Sequence, residues 1–137
     1  MSKIFVLDAC ALLAVVRNEE GANIVSEAYI KAANESAQIF INRINLLEVY
    51  YDFYRHKGEK YANDFVKKIE CSEVIICEFD QTLFSIAGRL KASYKISLAD
   101  SIALAQAIKS QGEFLTADHH EFDCIEGKEA VIFRWIR

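Results

Sequence analysis

Ile4-Phe5-Val6-Leu7-Asp8-Ala9-Cys10-Ala11-Leu12-Leu13-Ala14-Val15-Val16 is a short apolar run, one acid, and then a helical stretch. Residues 4–7 are consecutively apolar with β-formers among them, which reads as a strand buried on both faces, the kind a parallel sheet uses. The same alternation continues along the chain. Helix is predicted over 22–34, strand over 38–41, a long helix over 43–57 closed at Gly58, and helix over 60–70. Strand follows at 74–77, then a helix from the Asp80 cap to residue 91 and a helix over 97–110. Strand 113–116, a loop or short helix near 121–125, and a last strand at 131–135 complete the pattern. Strands alternating with helices define an α/β fold, three layers with a central, mostly parallel sheet flanked by helices. In such sheets ligands bind at the carboxyl ends of the strands.

Proline is absent, no low-complexity linker interrupts the chain, and 137 residues suffice for one core, so residues 1–137 are expected to form a single domain. A formal net charge of −4 disfavours nucleic acid as a partner unless basic groups segregate or metal ions neutralise one cleft. The cysteines at 10, 71, 77 and 124 form no C-x-x-C pair and match no zinc spacing, so they are expected as small buried residues in a reducing compartment. Asp8 breaks the apolar run that a signal peptide needs, and it also spoils the lipoprotein-like Leu7-Asp8-Ala9-Cys10. With no apolar run of about 18 residues, no membrane span is expected and the location predicted is cytoplasmic.

The acids carry the chemistry. In Ser97-Leu98-Ala99-Asp100-Ser101-Ile102-Ala103-Leu104-Ala105-Gln106-Ala107-Ile108-Lys109, helical spacing puts Asp100 with Ala103, Leu104, Ala107 and Ile108, opposite Gln106 and Lys109. An inward carboxylate needs a partner. Asp8 ends the first strand, Asp118 follows the strand that closes at Thr116, and Glu48 lies on the long helix after the second strand. These acids can converge on one edge of the sheet, where a divalent cation relieves their repulsion. Oxygen-only ligation suits Mg²⁺ or Mn²⁺ and points to phosphoryl chemistry. Each acid has a plainer reading as well. Asp8 can be a helix cap, Asp100 half of a capping box with Ser97, Glu48 part of a solvated face with Asn45, Asp52, Arg55 and His56, and Asp118 a turn residue.

His119-His120, beside Glu121 and Asp123, lacks a third spaced imidazole and reads as a polar surface turn. On the long helix Ile44, Leu46, Leu47, Tyr50, Tyr51, Phe53 and Tyr54 form an apolar arc wider than one core contact requires, so either two-sided burial or an interface is expected. Arg43, Arg55, Lys57 and Lys60 are the basic residues placed to meet flanking phosphates, if they are more than a solvated surface.

Phe5-Val6-Leu7-Asp8-Ala9-Cys10-Ala11-Leu12-Leu13-Ala14, Asn45-Leu46-Leu47-Glu48-Val49-Tyr50, Ser97-Leu98-Ala99-Asp100-Ser101-Ile102-Ala103-Leu104-Ala105 and Leu115-Thr116-Ala117-Asp118-His119-His120-Glu121-Phe122 resemble, in order, the acidic motifs of PIN-domain ribonucleases. The similarity is greatest to the small VapC-type toxins of toxin–antitoxin pairs. The resemblance implies an endoribonuclease dependent on Mg²⁺ or Mn²⁺, a homodimer, and inhibition by a small antitoxin protein whose tail occludes the cleft. It implies in-line hydrolysis leaving a 5′-phosphate and a 3′-hydroxyl. Asp8, Glu48, Asp100 and Asp118 match the family's catalytic, metal-holding acids, and Thr116 its hydroxyl neighbour. Cys10 stands where the family often has Ser or Thr, and a thiol is a weaker hydrogen-bond partner. Glu121 and Asp123 are further acids of undefined role.

Other readings are a solitary RNA-processing PIN nuclease and a PIN module that binds RNA or protein without cleaving. A phosphorelay receiver would need an acid adjacent to Asp8 and a lysine ending a later strand, and a P-loop enzyme a glycine-rich loop; neither pattern occurs.

Overall fold

The computed structural model describes residues 3–137. Five strands form one all-parallel sheet: β1 (Lys3–Leu7), β2 (Ala37–Asn42), β3 (Val74–Cys77), β4 (Glu113–Thr116) and β5 (Ile132–Trp135), in the order β3-β2-β1-β4-β5. The apolar run that opens the chain is the central strand. It pairs along its length with β2 (Lys3 opposite Ala37, Leu7 opposite Ile41) and with β4 (Phe5 opposite Glu113, Leu7 opposite Leu115).

Seven helices connect the strands: α1 (Ala9–Val16), α2 (Ala22–Ala33), α3 (Arg43–Lys57), α4 (Glu59–Glu70), α5 (Gln81–Ser93), α6 (Leu98–Ser110) and the single turn α7 (His119–Phe122). Alternation along the strands divides the core in two. Phe5 and Leu7 face α1–α4, packing with Leu12, Val25, Leu46, Phe53 and Phe65. Val6 and Phe114 face the other side, with Leu83, Leu90, Leu104 and Phe122. Phe114 meets Phe122 edge-on at 5.1 Å and Phe133 at 5.7 Å, which fixes α7 and β5 against the sheet.

Several expectations change. Gln106, read as lying on the outer side of α6, is 3 % exposed. The helix is covered on nearly all sides because it packs on β1 and β2 and also against α3 and α5. The amide is satisfied within the protein: Asn42 Nδ2 donates to Gln106 Oε1 at 3.0 Å, and Gln106 Nε2 donates to Ser110 Oγ at 2.9 Å. Asn42 Oδ1 in turn caps α3 by accepting the Ile44 N–H at 3.0 Å.

The four cysteines are free thiols, but none is a fully buried core residue. Cys71 caps the end of α4 and is exposed, Cys124 lies exposed beyond α7, and Cys10 and Cys77 are half-buried. The arc on α3 splits: Leu46 and Phe53 enter the core, whereas Leu47, Tyr51 and Tyr54 remain exposed. The short helix expected near residue 121 begins earlier, at His119, because Asp118 caps it.

The Asn42–Gln106 contact yields a stability test. Gln106→Leu keeps the volume but leaves Asn42 Nδ2 buried without a partner, so a loss of about 1–3 kcal/mol in urea unfolding is expected.

Candidate functional site

Because every strand runs the same way, Asp8 after β1, α3 after β2, and Thr116 with Asp118 at the end of β4 all emerge at one sheet edge. Asp8 is 2 % exposed. Its Oδ1 accepts the Ala11 N–H at 2.8 Å, capping α1, so the plainer reading of this residue as a cap is correct as far as it goes. Its other oxygen, Oδ2, accepts the Thr116 hydroxyl at 2.5 Å. Thr116 Oγ1 then accepts the Asp118 N–H at 3.0 Å, which ties the fourth acid to the first through one side chain. Asp118 Oδ1 accepts the Glu121 N–H at 3.2 Å and starts α7.

On the facing helices, Ser97 Oγ accepts the Asp100 N–H at 3.1 Å and caps α6. Asn45 on α3 is fully buried; its Nδ2 donates to the Ala99 carbonyl at 3.0 Å, while its Oδ1 has no partner. This amide joins α3 to α6 one residue before Asp100 and three before Glu48, so it sets how the two acids face each other.

Asp8, Glu48, Asp100 and Asp118 line one cavity of about 270 Å³, together with Cys10 and Glu19. Donor oxygens of Asp100, Asp118 and Glu121 lie within 4.8 Å of one another. Of the two acids without a defined role, Glu121 therefore joins the cluster. Asp123 does not: it pairs with His119 Nδ1 at 2.7 Å on the surface. Among the described residues, no lysine or arginine forms an ion pair with Asp8, Glu48, Asp100 or Asp118; Glu19 alone of the lining acids has one, with Arg137 at 4.0 Å.

Burial without a cation moves the titrations. Desolvation pushes Asp8 up to about 7, against its hydrogen bonds from Thr116 and Ala11 and with repulsion from Asp118 and Glu48. Burial likewise raises Asp100 to about 7; Ser97 opposes the shift, and Asp118, Asp8 and Glu121 add to it. Glu48 is raised too, by burial first and then by Asp118, with Asn45 opposing. A group of hard oxygens, crowded and partly dehydrated, with no protein cation to balance it, fits a divalent ion of the Mg²⁺ or Mn²⁺ type. Asp8, Asp100 and Asp118, with Glu48 and Glu121, are the residues that could hold it.

The basic residues expected to meet phosphates are mostly occupied elsewhere. Arg43 holds Glu78 at 2.8 Å, Lys60 holds Asp64 at 2.9 Å, and Arg55 lies over the Tyr51 ring. Sequence reasoning missed Glu19, in a loop with no periodic signal, and Asn45, which it placed on a polar outer face. It also missed Arg137, brought near the cavity only by tertiary packing.

A family model for the PIN domain matches residues 5–128, and the chain belongs to the PIN-domain family. By sequence alone, no curated protein matches it. Solved structures share the fold. A chain of DNA-bound VapBC from Salmonella typhimurium is 16% identical, with a TM-score of 0.76 and all of both chains covered. A chain of VapBC2 from Rickettsia felis, bound to a promoter DNA fragment, is 20% identical with a TM-score of 0.73, covering 96% of this chain and 98% of that one. VapC20 from Mycobacterium tuberculosis, a toxin that cleaves the sarcin–ricin loop, is 18% identical with a TM-score of 0.56, covering 81% of this chain and 85% of that one.

The raised carboxyls make the metal-free fold sensitive to pH. Asp8 and Asp100 bind protons up to about pH 7 when folded but only to the ordinary range near 3.8 when unfolded. Their contribution is therefore fully present below that lower value and is lost as pH rises through about 7. In EDTA, the melting temperature is expected to fall between pH 5 and 7.5 by about 3 °C or more. Mn²⁺ should reverse the loss, and its calorimetric binding should release protons and weaken as pH falls. A melting temperature that is flat over this range would contradict the site's electrostatics.

Proposed function

We propose that this protein is an endoribonuclease dependent on Mg²⁺ or Mn²⁺ and the toxin component of a type II toxin–antitoxin pair, acting in the cytoplasm. The observation that carries the reading is the meeting of Asp8, Glu48, Asp100 and Asp118, from four separated parts of the chain, in one cavity where no protein cation neutralises them. A divalent ion bound there supplies Lewis-acid stabilisation of a phosphoryl group and lowers the pKa of water. The residues' own work is positional. Asp8, Asp100 and Asp118 present oxygens, Thr116 orients Asp8 through its hydroxyl, and Asn45 holds Glu48 opposite Asp100. VapC20, with the same fold, cleaves RNA, which supports RNA as the substrate here.

Similar folds in VapBC assemblies support a small antitoxin as partner. Its place is the groove of about 430 Å³ between α3 and α4, where Leu46, Leu47, Tyr50 and Val66 meet Arg43 and Lys67. A second copy is assigned to a different face, where Phe79, Phe84 and Leu98 are 40%, 61% and 64% exposed around a cavity backed by Ile44 and Ile102. Apolar side chains concentrated in this way are costly in water and suit a homodimer contact.

Asp8→Asn and Asp100→Asn are each expected to reduce Mn²⁺-dependent cleavage of labelled RNA by at least about 100-fold, with circular dichroism unchanged. Activity should disappear in EDTA, return with either metal, and survive Cys10→Ser. Full cleavage by a folded Asp8→Asn variant would remove the assignment. For the dimer, Phe84→Glu should shift sedimentation from two copies to one while antitoxin binding, measured by titration, persists. Tyr50→Ala should weaken the antitoxin alone.

A further inference from the structure

Arg137 lies at the rim of the carboxylate cavity. Its Nη2 is 4.0 Å from Cys10 Sγ and 4.0 Å from Glu19 Oε1, and both of those residues line the cavity with the four acids.

The arginine is held in place by its backbone and by one end of its side chain. Next to it, the Ile136 N–H donates to the Thr116 carbonyl at 3.0 Å, tying this segment to the strand that supplies the site's hydroxyl. His119 Nε2 donates to the Arg137 carbonyl at 2.9 Å, and the His119 ring is stacked on Trp135 at 3.8 Å. Arg137 Nη1 donates to the Glu20 carbonyl at 2.7 Å. By contrast, Arg17, Arg43 and Arg89 commit their forks to Asp52, Glu78 and Glu129 at hydrogen-bonding distance. On Arg137 the Nη2 has only a thiol and a distant carboxylate beside it.

A cavity this negative must still admit a polyanion, and a pre-placed arginine whose Nη2 is engaged only by a thiol and a carboxylate, each 4.0 Å away, is suited to phosphate oxygens. We propose that Arg137 is a substrate-binding residue, whose guanidinium holds an RNA phosphate neighbouring the one that lies over the carboxylates. The assignment rests on the nuclease reading above. It gives the segment after β5 a part in substrate binding that the basic residues of α3 and α4 do not fill.

Arg137→Gln and Arg137→Lys, compared with the wild type in steady-state RNA cleavage and in anisotropy with labelled single-stranded RNA across a salt series, test it. Arg137→Gln is expected to raise KM about tenfold, the worth of one charge-assisted hydrogen bond, with kcat within about threefold. Its log–log salt slope should be shallower by about 0.7, one phosphate contact on a single strand. Arg137→Lys should keep the slope, and calorimetric Mn²⁺ affinity should not weaken in either variant. If Arg137→Gln keeps the wild-type KM and slope, the proposal is wrong and the nuclease reading stands. If both variants raise KM with no change in slope, or weaken Mn²⁺ binding, Arg137 is structural and the proposal is again wrong. A wild-type protein that cleaves no RNA with either metal would overturn the nuclease reading, and this inference with it.

Discussion

The hydrogen bond from Thr116 to Asp8 fixes the arrangement on which the rest of the site depends. It joins the ends of β1 and β4, neighbours in the sheet whose acids are separated by more than a hundred positions in the chain. Through the same hydroxyl it orders Asp118, and through Asp8 it orders the start of α1. A carboxyl with 2 % exposure is tolerated because both its oxygens accept hydrogen bonds, yet those bonds do not offset the desolvation, and its pKa stays near 7. The strain is electrostatic, and a cation is its natural counterpart. Stability and ligand binding are thus opposed at one group, as expected where a fold keeps charges together for use.

The layers around the sheet translate that constraint into shape. Asn42 and Asn45 sit at the first turn of α3, and both reach α6, one through Gln106 and the other through the Ala99 carbonyl. These two amides set α3 against α6 more specifically than apolar packing alone, because a shift by one residue would leave buried donors unpaired. Glu48 and Asp100 inherit their relative position from that pairing. Asn45 Oδ1 is buried at this junction without a hydrogen-bond partner.

The fold was legible because its signals were local. Runs such as residues 4–7 and Val74–Cys77 are too short and too continuously apolar to be surface helix, and Gly58 and Asp80 mark element ends by backbone chemistry. The four lining acids were legible because strand ends and helix starts are positions that sequence can locate. What escaped was whatever depended on two-sided burial. Helical periodicity assigned Gln106 and Asn45 to outer faces, since it assumes one buried stripe, while α6 is enclosed and α3 is covered on two sides. Glu19 and Arg137 were invisible for another reason. Neither sits on a periodic element, and they meet only because Gly21, with a positive φ, lets the chain pass so close to Ile136 that a Cβ there would lie 2.4 Å from its carbonyl oxygen.

The order of the site's pieces along the chain has a consequence for biosynthesis. Asp8 directly follows β1, but β4, which holds it through Thr116, is made more than a hundred residues later. Contacts of such sequence separation form late, after the intervening chain has closed its loops. A nascent chain therefore lacks Asp118, and with it one wall of the cavity, until residues 113–118 have emerged and β4 has paired with β1. The cavity is thus completed by the pairing of two strands made more than a hundred residues apart, and its assembly waits on that closure rather than on any local segment.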